Sequence, residues 1–336
     1  MLEILETVNR WLEQGRSVAL ATVVDTWGSA PRGVGAKMAV AADMAMIGSV
    51  SGGCVENAVI QEAVESLADG KPRLLSFGVS DDTAWDVGLA CGGKITVFVE
   101  PLDTDWWRLI TERTRQNIPV VTVTIVKGDA AGQKILLGEE KEVLYATVPD
   151  PDQLIQTAHK QPQSKRVPVG DFEVLVDVHI PRPRLIIVGG VHVAIPLQFF
   201  AAQLGFDVVL IDPRKAFASP ERFPGIKQVF HSYPDKALPQ VGLTKDTYIA
   251  VLTHDPKIDD LALKTALPSD VPYVGVLSSK RTHERRLERL TRAGVDSHLL
   301  ARIRTPIGLD IGAKTPEEIA LCIMAEIVAV RNGAKA

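Results

Sequence analysis

The spacing of apolar positions changes several times along the chain, and each change marks an element. Near the start, Ile4, Leu5, Val8, Trp11 and Leu12 recur at the three- and four-residue spacing of one helical face, which predicts an amphipathic opening helix. Residues 17–24 are β-prone and a short strand is expected over 37–40. Val55, Val59, Ile60, Ala63, Val64 and Leu67 then return to the helical period. Residues 74–77 and 95–99 read as strands, 106–116 as a helix and 120–126 as a strand, with shorter strand candidates near Ile135, Val143 and over 172–178. Pattern alone does not say how these strands pair.

Beyond Pro181-Arg182-Pro183 the rhythm becomes regular. Two prolines restrict the backbone just before a new apolar strand, so the domain boundary is placed there, giving domains 1–180 and 181–336. Strands over 185–188, 208–211, 248–252 and 273–277 alternate with helical stretches, as in a parallel, Rossmann-like α/β sheet. The uncharged run 185–206 is long enough to raise a membrane span. Gly189-Gly190, His192 and Pro196 interrupt it, and a buried strand, a turn and a helix explain it better. The last helix starts at Thr315-Pro316-Glu317-Glu318, a threonine cap with proline at the first helical position and a glutamate completing the capping box. Ile319, Ile323, Ile327 and Val330 form its inner stripe, with Cys322 beside them in a core role.

Composition narrows the function classes. Of 336 residues, 46% are hydrophobic and 23% charged, which excludes disordered, collagen-like and coiled-coil readings. A net charge of -4 argues against a general nucleic-acid binder. The three cysteines do not make a secreted disulfide framework, and no export signal opens the chain, so a cytoplasmic, reducing location without a membrane partner is expected. There is no short-period repeat, zinc-type spacing, P-loop or serine-nucleophile elbow.

Candidate chemistry gathers in glycine loops. The first is Gly28-Ser29-Ala30-Pro31-Arg32-Gly33-Val34-Gly35; the second, Gly48-Ser49-Val50-Ser51-Gly52-Gly53-Cys54, opens a helix; the third is Gly88-Leu89-Ala90-Cys91-Gly92-Gly93-Lys94. Backbone amides left free in such loops and at a helix start bind anions, with Arg32 or Lys94 adding charge. Gly52 and Gly53 permit close approach to a ligand, and Cys54 is expected in the first helical turn, where the dipole favours thiolate. Cys54 and Cys91 are candidate sulfur carriers or soft ligands; equally, both suit compact residues beside tight turns.

In the second half Gly189-Gly190-Val191-His192 follows a strand, and Asp212 lies 23 residues beyond Gly189, an arrangement like a dinucleotide fingerprint. Asp212 is then a ribose contact and Arg214 a phosphate contact, or the pair is a solvated turn. Val191 stands at the middle-glycine position, which weakens an NAD(P)-dependent oxidoreductase reading. His192 and His254 fall at carboxyl ends of strands, where open α/β folds place ligands, although a lone histidine is more often structural than catalytic. Ser278-Ser279-Lys280-Arg281 is a further anion candidate, and the basic run 280–292 is read as a solvated helix face.

Taken together these motifs resemble the xanthine dehydrogenase accessory factor (XdhC/CoxI) family over essentially the whole chain. The resemblance rests on Gly28-Ser29-Ala30-Pro31-Arg32, on Gly48 to Glu56, on Cys91-Gly92-Gly93, and on Asp212-Pro213-Arg214, Glu221-Arg222-Phe223-Pro224, Thr253-His254-Asp255 and the segment from Ile311 to Ala320. It implies an N-terminal XdhC/CoxI-type α/β domain and a C-terminal Rossmann-like domain. It also implies an accessory protein rather than a turnover enzyme, one that binds molybdenum cofactor, supports its sulfuration and delivers it to a molybdenum hydroxylase such as xanthine or carbon monoxide dehydrogenase. The implied partners are that apoenzyme and a cysteine desulfurase, and a homodimer is compatible with the reading. Val191 and Ser278 stand where the family commonly has glycine.

Overall fold

The computed structural model describes residues 1–28, 30–78 and 93–334, and the proline-flanked junction separates two units, Met1–Pro181 and Arg182–Ala336. The first unit begins α1 (Leu2–Glu13), β1 (Val18–Trp27), β2 (Lys37–Ala41), β3 (Met46–Gly48), α2 (Glu56–Asp69), β4 (Arg73–Phe77) and β5 (Lys94–Pro101). It continues α3 (Thr104–Arg115), β6 (Val120–Lys127), β7 (Lys134–Leu137), β8 (Val143–Ala146), α4 (Asp152–His159), β9 (Lys165–Val169) and β10 (Phe172–His179). The strands form two five-stranded antiparallel sheets, ordered β3-β2-β1-β5-β4 and β8-β7-β6-β10-β9.

Strand alternation gives each sheet two different faces. On β1, Ala19, Ala21 and Val23 pack with Val59 and Ala63 of α2, and on β6, Val123 and Ile125 pack with Leu154 and Ala158 of α4. The intervening positions Val24, Phe98, Val126 and Leu175 form a separate apolar cluster. Charge is buried beside it: Lys37 Nζ donates to Asp177 at 2.7 Å and Lys134 Nζ to Glu100 at 2.7 Å. The two lysines are 2% exposed. Burial pushes the Asp177 carboxyl up, but His179 and Lys37 together hold it well below the usual carboxylate range. Such pairs add little net stability against an apolar replacement, while loss of one partner leaves a buried charge uncompensated.

The second unit contains β11 (Arg184–Val188), α5 (Ala194–Gln203), β12 (Asp207–Ile211), β13 (Gln228–Phe230), α6 (Pro234–Val241), β14 (Thr247–Val251) and α7 (Pro256–Ala266). It closes with β15 (Tyr273–Val276), α8 (Lys280–Arg292), α9 (Ser297–Leu300), β16 (Ile303–Arg304) and α10 (Pro316–Arg331). Its six strands run parallel in the order β13-β12-β11-β14-β15-β16, a Rossmann-like sheet. Leu185 and Ile187 face a core with α5 and α10, and Ile186 and Val188 face one with α6, α7 and α8. Burial on both faces explains why these strands read as continuous apolar runs. The 185–206 run resolves into β11, a turn and α5, and no helix among the described residues is long and apolar enough to cross a membrane. The capping box of α10 forms as the sequence indicates, and Cys322 is buried in that helix.

One expectation changes. The basic run 280–292 is not simply a solvated face, because Arg286 is 1% exposed and pairs with Asp259 at 3.0 Å, and Arg289 pairs with Asp260 at 2.7 Å. The burial arises because α8 packs against α7 and turns one basic position inward, where a carboxylate meets it.

Candidate functional site

The connection from β3 to α2 is a closed cradle built around one side chain. Gly48 starts it with φ of 82°, and a Cβ there would lie 2.4 Å from the Lys37 carbonyl oxygen, so only glycine fits. Gly52 and Gly53 also take left-handed backbone, with φ of 82° and 121°, and the chain curls so that successive N–H groups point inward. They meet the carboxylate of Glu56. Oε1 accepts from the amides of Val50 at 3.2 Å, Ser51 at 2.9 Å and Gly52 at 3.1 Å, and from the Ser49 hydroxyl at 2.6 Å. Oε2 accepts from the amides of Gly53 at 2.9 Å and Val55 at 3.2 Å and from the Ser51 hydroxyl. The Ser51 hydroxyl in turn accepts from the amides of Cys54 and Val55.

Glu56 is 7% exposed. Burial pushes its carboxyl up, and the bonds from Ser49, Ser51 and the loop amides outweigh that, bringing it down to about 2. The carboxylate is therefore a permanent anion inside the loop. This corrects the expectation that the amides of the second glycine loop stand free for an external anion, because Glu56 already engages them. It also corrects the placement of Cys54, which precedes the helix N-cap Val55 instead of lying in the first turn of α2. The positive end of that helix is answered by Glu56.

Cys54 is nevertheless exposed, presented by a loop whose backbone is pinned on both sides. The 28–35 loop packs against it: Arg32 Nε donates to the Ser49 carbonyl at 3.2 Å, and a Cβ on Gly52 would lie 3.6 Å from Pro31. Arg32 also pairs with Glu3 of α1. The structure thus brings Arg32, Gly52, Gly53 and Cys54 together. Trp27, where β1 enters the loop, is 68% exposed, an aromatic face that pattern reasoning passed over. Gly93 is buried just before β5, and Lys94 is exposed on that strand opposite Trp27. Cys91 and Gly92 lie outside the described residues, so the convergence of Cys54 with Cys91 stays an expectation.

In the second unit the glycine turn is also closed by an internal carboxylate. The Gly190 amide donates to Asp212 Oδ2 at 2.9 Å, and Arg214 grips the same carboxylate through Nε at 2.9 Å and a terminal nitrogen at 2.8 Å. Asp212 is fully buried. Burial pushes its carboxyl up, but the bonds from Arg214 and Gly190 hold it below its ordinary value. In a dinucleotide site the acid reaches a ribose and the turn amides reach pyrophosphate. Here the acid binds the turn, and Arg214 is held by the acid while stacking over Phe217 at 3.9 Å. The space beside Gly190 is occupied as well, since a Cβ there would lie 2.2 Å from the Phe217 carbonyl oxygen. Asp212 and Arg214 are therefore not a solvated turn: they close on each other and on the glycine turn.

Gly189, with φ of 107°, is pressed against Thr253, where a Cβ would fall 2.4 Å from the threonine methyl. That contact joins the ends of β11 and β14, and it is there that His192 and His254 sit, both exposed, His254 with φ of 63°. Behind them a buried chain runs from Thr253 to Asp259, from Asp259 to Arg286 and from Arg286 to Ser278, whose hydroxyl meets Thr305 at 3.1 Å. Ser278 thus serves this internal network instead of an anion. Burial raises the Asp259 carboxyl above its usual value, against the pull of Thr253 and Arg286. Glu56 and Arg286, besides Trp27, are the residues sequence reasoning missed. Glu56 carried a signal, since an acid following Ser-x-Ser-Gly-Gly at a helix start suits a ring of inward amides. Among the described residues no group of three or more His, Cys, Asp or Glu side chains is arranged to hold a metal ion.

Comparison with known proteins adds a family context. A model described as the XdhC and CoxI family matches residues 11–78, and one described as the XdhC Rossmann domain matches residues 185–327. The chain is 30% identical over 333 residues to a protein of Bacillus subtilis (strain 168) named as a probable xanthine dehydrogenase subunit, covering 96% of this chain and 95% of that one. It is 28% identical over 323 residues to the molybdenum cofactor insertion chaperone PaoD of Escherichia coli (strain K12), covering 95% of this chain and 85% of that one. It is also 28% identical to the uncharacterized protein YqeB of the same strain, of whose length it spans 45%. A crystal structure described as a xanthine dehydrogenase from Bacillus halodurans superposes with a TM-score of 0.83 at 25% identity, covering 98% of this chain and 96% of that one.

Proposed function

Because the chain belongs to the XdhC and CoxI family, we propose that it is a molybdenum-cofactor accessory protein whose first unit holds the cofactor as cargo at the loops carrying Arg32 and Cys54. On this reading it supports sulfuration of the cofactor and hands it to a molybdenum hydroxylase apoenzyme of the xanthine or carbon monoxide dehydrogenase type, with a cysteine desulfurase as the sulfur source. Support comes from relatives named as a molybdenum cofactor insertion chaperone and as a probable xanthine dehydrogenase subunit.

The observation that carries the proposal is an exposed thiol fixed on a preorganised loop. The cradle amides are engaged by Glu56, so a cargo phosphate is not assigned to them. Among the described residues the groups at the surface of these loops are the Cys54 thiol, the Trp27 ring and the half-buried Arg32 guanidinium, which a cargo phosphate would share with Glu3. A thiolate is a soft ligand suited to a thiophilic metal centre, a guanidinium recognises phosphate, and an indole face stacks on a pterin. The closed Asp212 turn gives the NAD(P) reading no support.

Equilibrium gel filtration with the molybdenum-loaded cofactor tests the proposal. The unaltered protein is expected to retain the pterin, and Cys54→Ser to retain it at least tenfold more weakly (a loss of about 1.4 kcal/mol) with unchanged thermal stability. No retention by the unaltered protein, or equal retention by the variant, would count against it.

A further inference from the structure

The two sheets of the first unit have one topology. Each follows a helix, three meandering strands, a second helix and a two-stranded return, and the strand orders β3-β2-β1-β5-β4 and β8-β7-β6-β10-β9 are the same order written twice. Shared topology alone can arise by convergence, so the register decides the matter. Thr22 pairs with Lys37 on one side and Phe98 on the other, and Thr124 pairs with Lys134 and Leu175. One pleat along, Leu20 pairs with Glu100 and Thr122 with Asp177. The correspondence is residue by residue: Lys37 with Lys134, Glu100 with Asp177, Phe98 with Leu175.

Local geometry repeats too. The Gly35 amide donates to Val23 and the Gly132 amide to Ile125, both at 2.8 Å, and these glycines have φ of 88° and 92°. Each is followed two positions on by the buried lysine. After α1 and after α3 the chain turns through a left-handed residue, Gly15 with φ of 73° and Asn117 with φ of 59°, each preceded by glutamine.

The buried ion pairs then acquire a meaning. Lys37 of the first module meets Asp177 of the second, and Lys134 of the second meets Glu100 of the first. Residue i contacts j′ while i′ contacts j, the reciprocity of an isologous interface between identical subunits. Val24 and Phe98 with their counterparts Val126 and Leu175 complete that interface as one apolar cluster.

We infer that the first unit is an internal duplication of one α-βββ-α-ββ module, joined like a twofold dimer in a single chain, and that its function has been built by enlarging two connections of the first module, β1 to β2 and β3 to α2. Residues 24–34 span the closed turn of the first module where residues 126–131 suffice in the second. The helix following the meander has 14 residues in the first module and 8 in the second. The Arg32 loop thus belongs to what the first module adds, and so does the cradle, because the seven donors gathered on Glu56 have no counterpart around Asp152, the first residue of α4. The second module is the plain scaffold against which the first is braced. The functional half of this inference rests on the cargo-site reading proposed above.

A chimera of the full chain tests it, with residues 126–131 grafted in place of 24–34. A milder variant deletes residues 28–32, the same five-residue shortening. Because the closing Gly35 bond and Val24 have equivalents in the graft, at least one of the two should unfold cooperatively in urea with a midpoint within about 1 M of the parent. It should also bind molybdopterin at least tenfold more weakly. If neither variant folds, the equivalence of the two modules is wrong. If a folded variant binds like the parent, the enlargement is not where function resides. Failure of the parent to bind removes the cargo reading and the functional half with it, and the urea midpoints still decide the duplication.

Discussion

Replacing Glu56 by glutamine is the sharpest perturbation of the cradle. The side chain keeps its size and one carbonyl oxygen, but the other oxygen becomes an NH2 group. The three donors on Oε2, from Ser51, Gly53 and Val55, then face a donor. Hydrogen bonds to a charged acceptor are worth about 1.5–3 kcal/mol each, and removing one partner exposes the desolvation cost of the other. Gly52, Gly53 and Cys54 are exposed, so water replaces part of the loss, and a net cost of about 2–4 kcal/mol is expected at pH 7. All five tryptophans lie in the first unit, so indole fluorescence during urea unfolding reports on that unit alone. With a slope of about 2–3 kcal/mol per molar, the midpoint should fall by about 1 M. The carboxyl sits at about 2 in the folded state against an ordinary value of 4.5. A depressed carboxyl contributes stability that is complete above its unfolded value and disappears as pH falls through its folded value. The gap between parent and variant should therefore begin to close below about pH 4.5 and narrow by roughly 0.5–1 kcal/mol at pH 4. Equal midpoints at pH 7, or a gap that stays constant down to pH 4, would refute the reasoning.

Two other substitutions probe the scaffold. Lys37→Met should cost about 3–5 kcal/mol in the same fluorescence assay, because Asp177 is left buried with only His179 and Ser164, while Lys37→Met with Asp177→Leu should recover most of that loss; a double variant no better than the single one would contradict the argument. Gly190→Ala should destabilise the second unit by about 1–3 kcal/mol, read by circular dichroism and calorimetry, because the new methyl must displace the Phe217 backbone; an unchanged thermal transition would show that the closure of the turn is looser than described.

Much of the second unit was legible in the sequence because local and global signals agree there. Strands buried on both faces are apolar throughout, and the Thr315 and Glu318 box states its own geometry. The first unit was legible as elements but not as an arrangement. Its two modules are offset by 102 residues at Thr22 and Thr124 but by 97 at Lys37 and Lys134 and by 77 at Glu100 and Asp177, so no fixed period reveals the duplication. Lys37 and Lys134 are polar at strand positions and read as surface until a partner from the other sheet appears. At the candidate site, glycine spacing and thiol chemistry nominate Arg32, Gly52, Gly53 and Cys54, and the structure sets them on neighbouring loops. Glu56 was missed, because a glutamate opening a helix is ordinarily a favourable charge in the first turn, facing water. The inward turn of Asp212 was not legible, because a fingerprint gives the position of an acid and not the direction in which it points.

The central claim is that this chain holds molybdenum cofactor on the loops around Cys54. Purification of the full chain and of Cys54→Ser from a cofactor-producing host, followed by metal analysis and pterin fluorescence after oxidation, tests it most directly. Molybdenum and pterin should accompany the unaltered protein in equal and near-stoichiometric amounts and be lost from the variant, with both proteins equally folded. Absence of both from the unaltered protein, or their full retention by Cys54→Ser, would contradict the account.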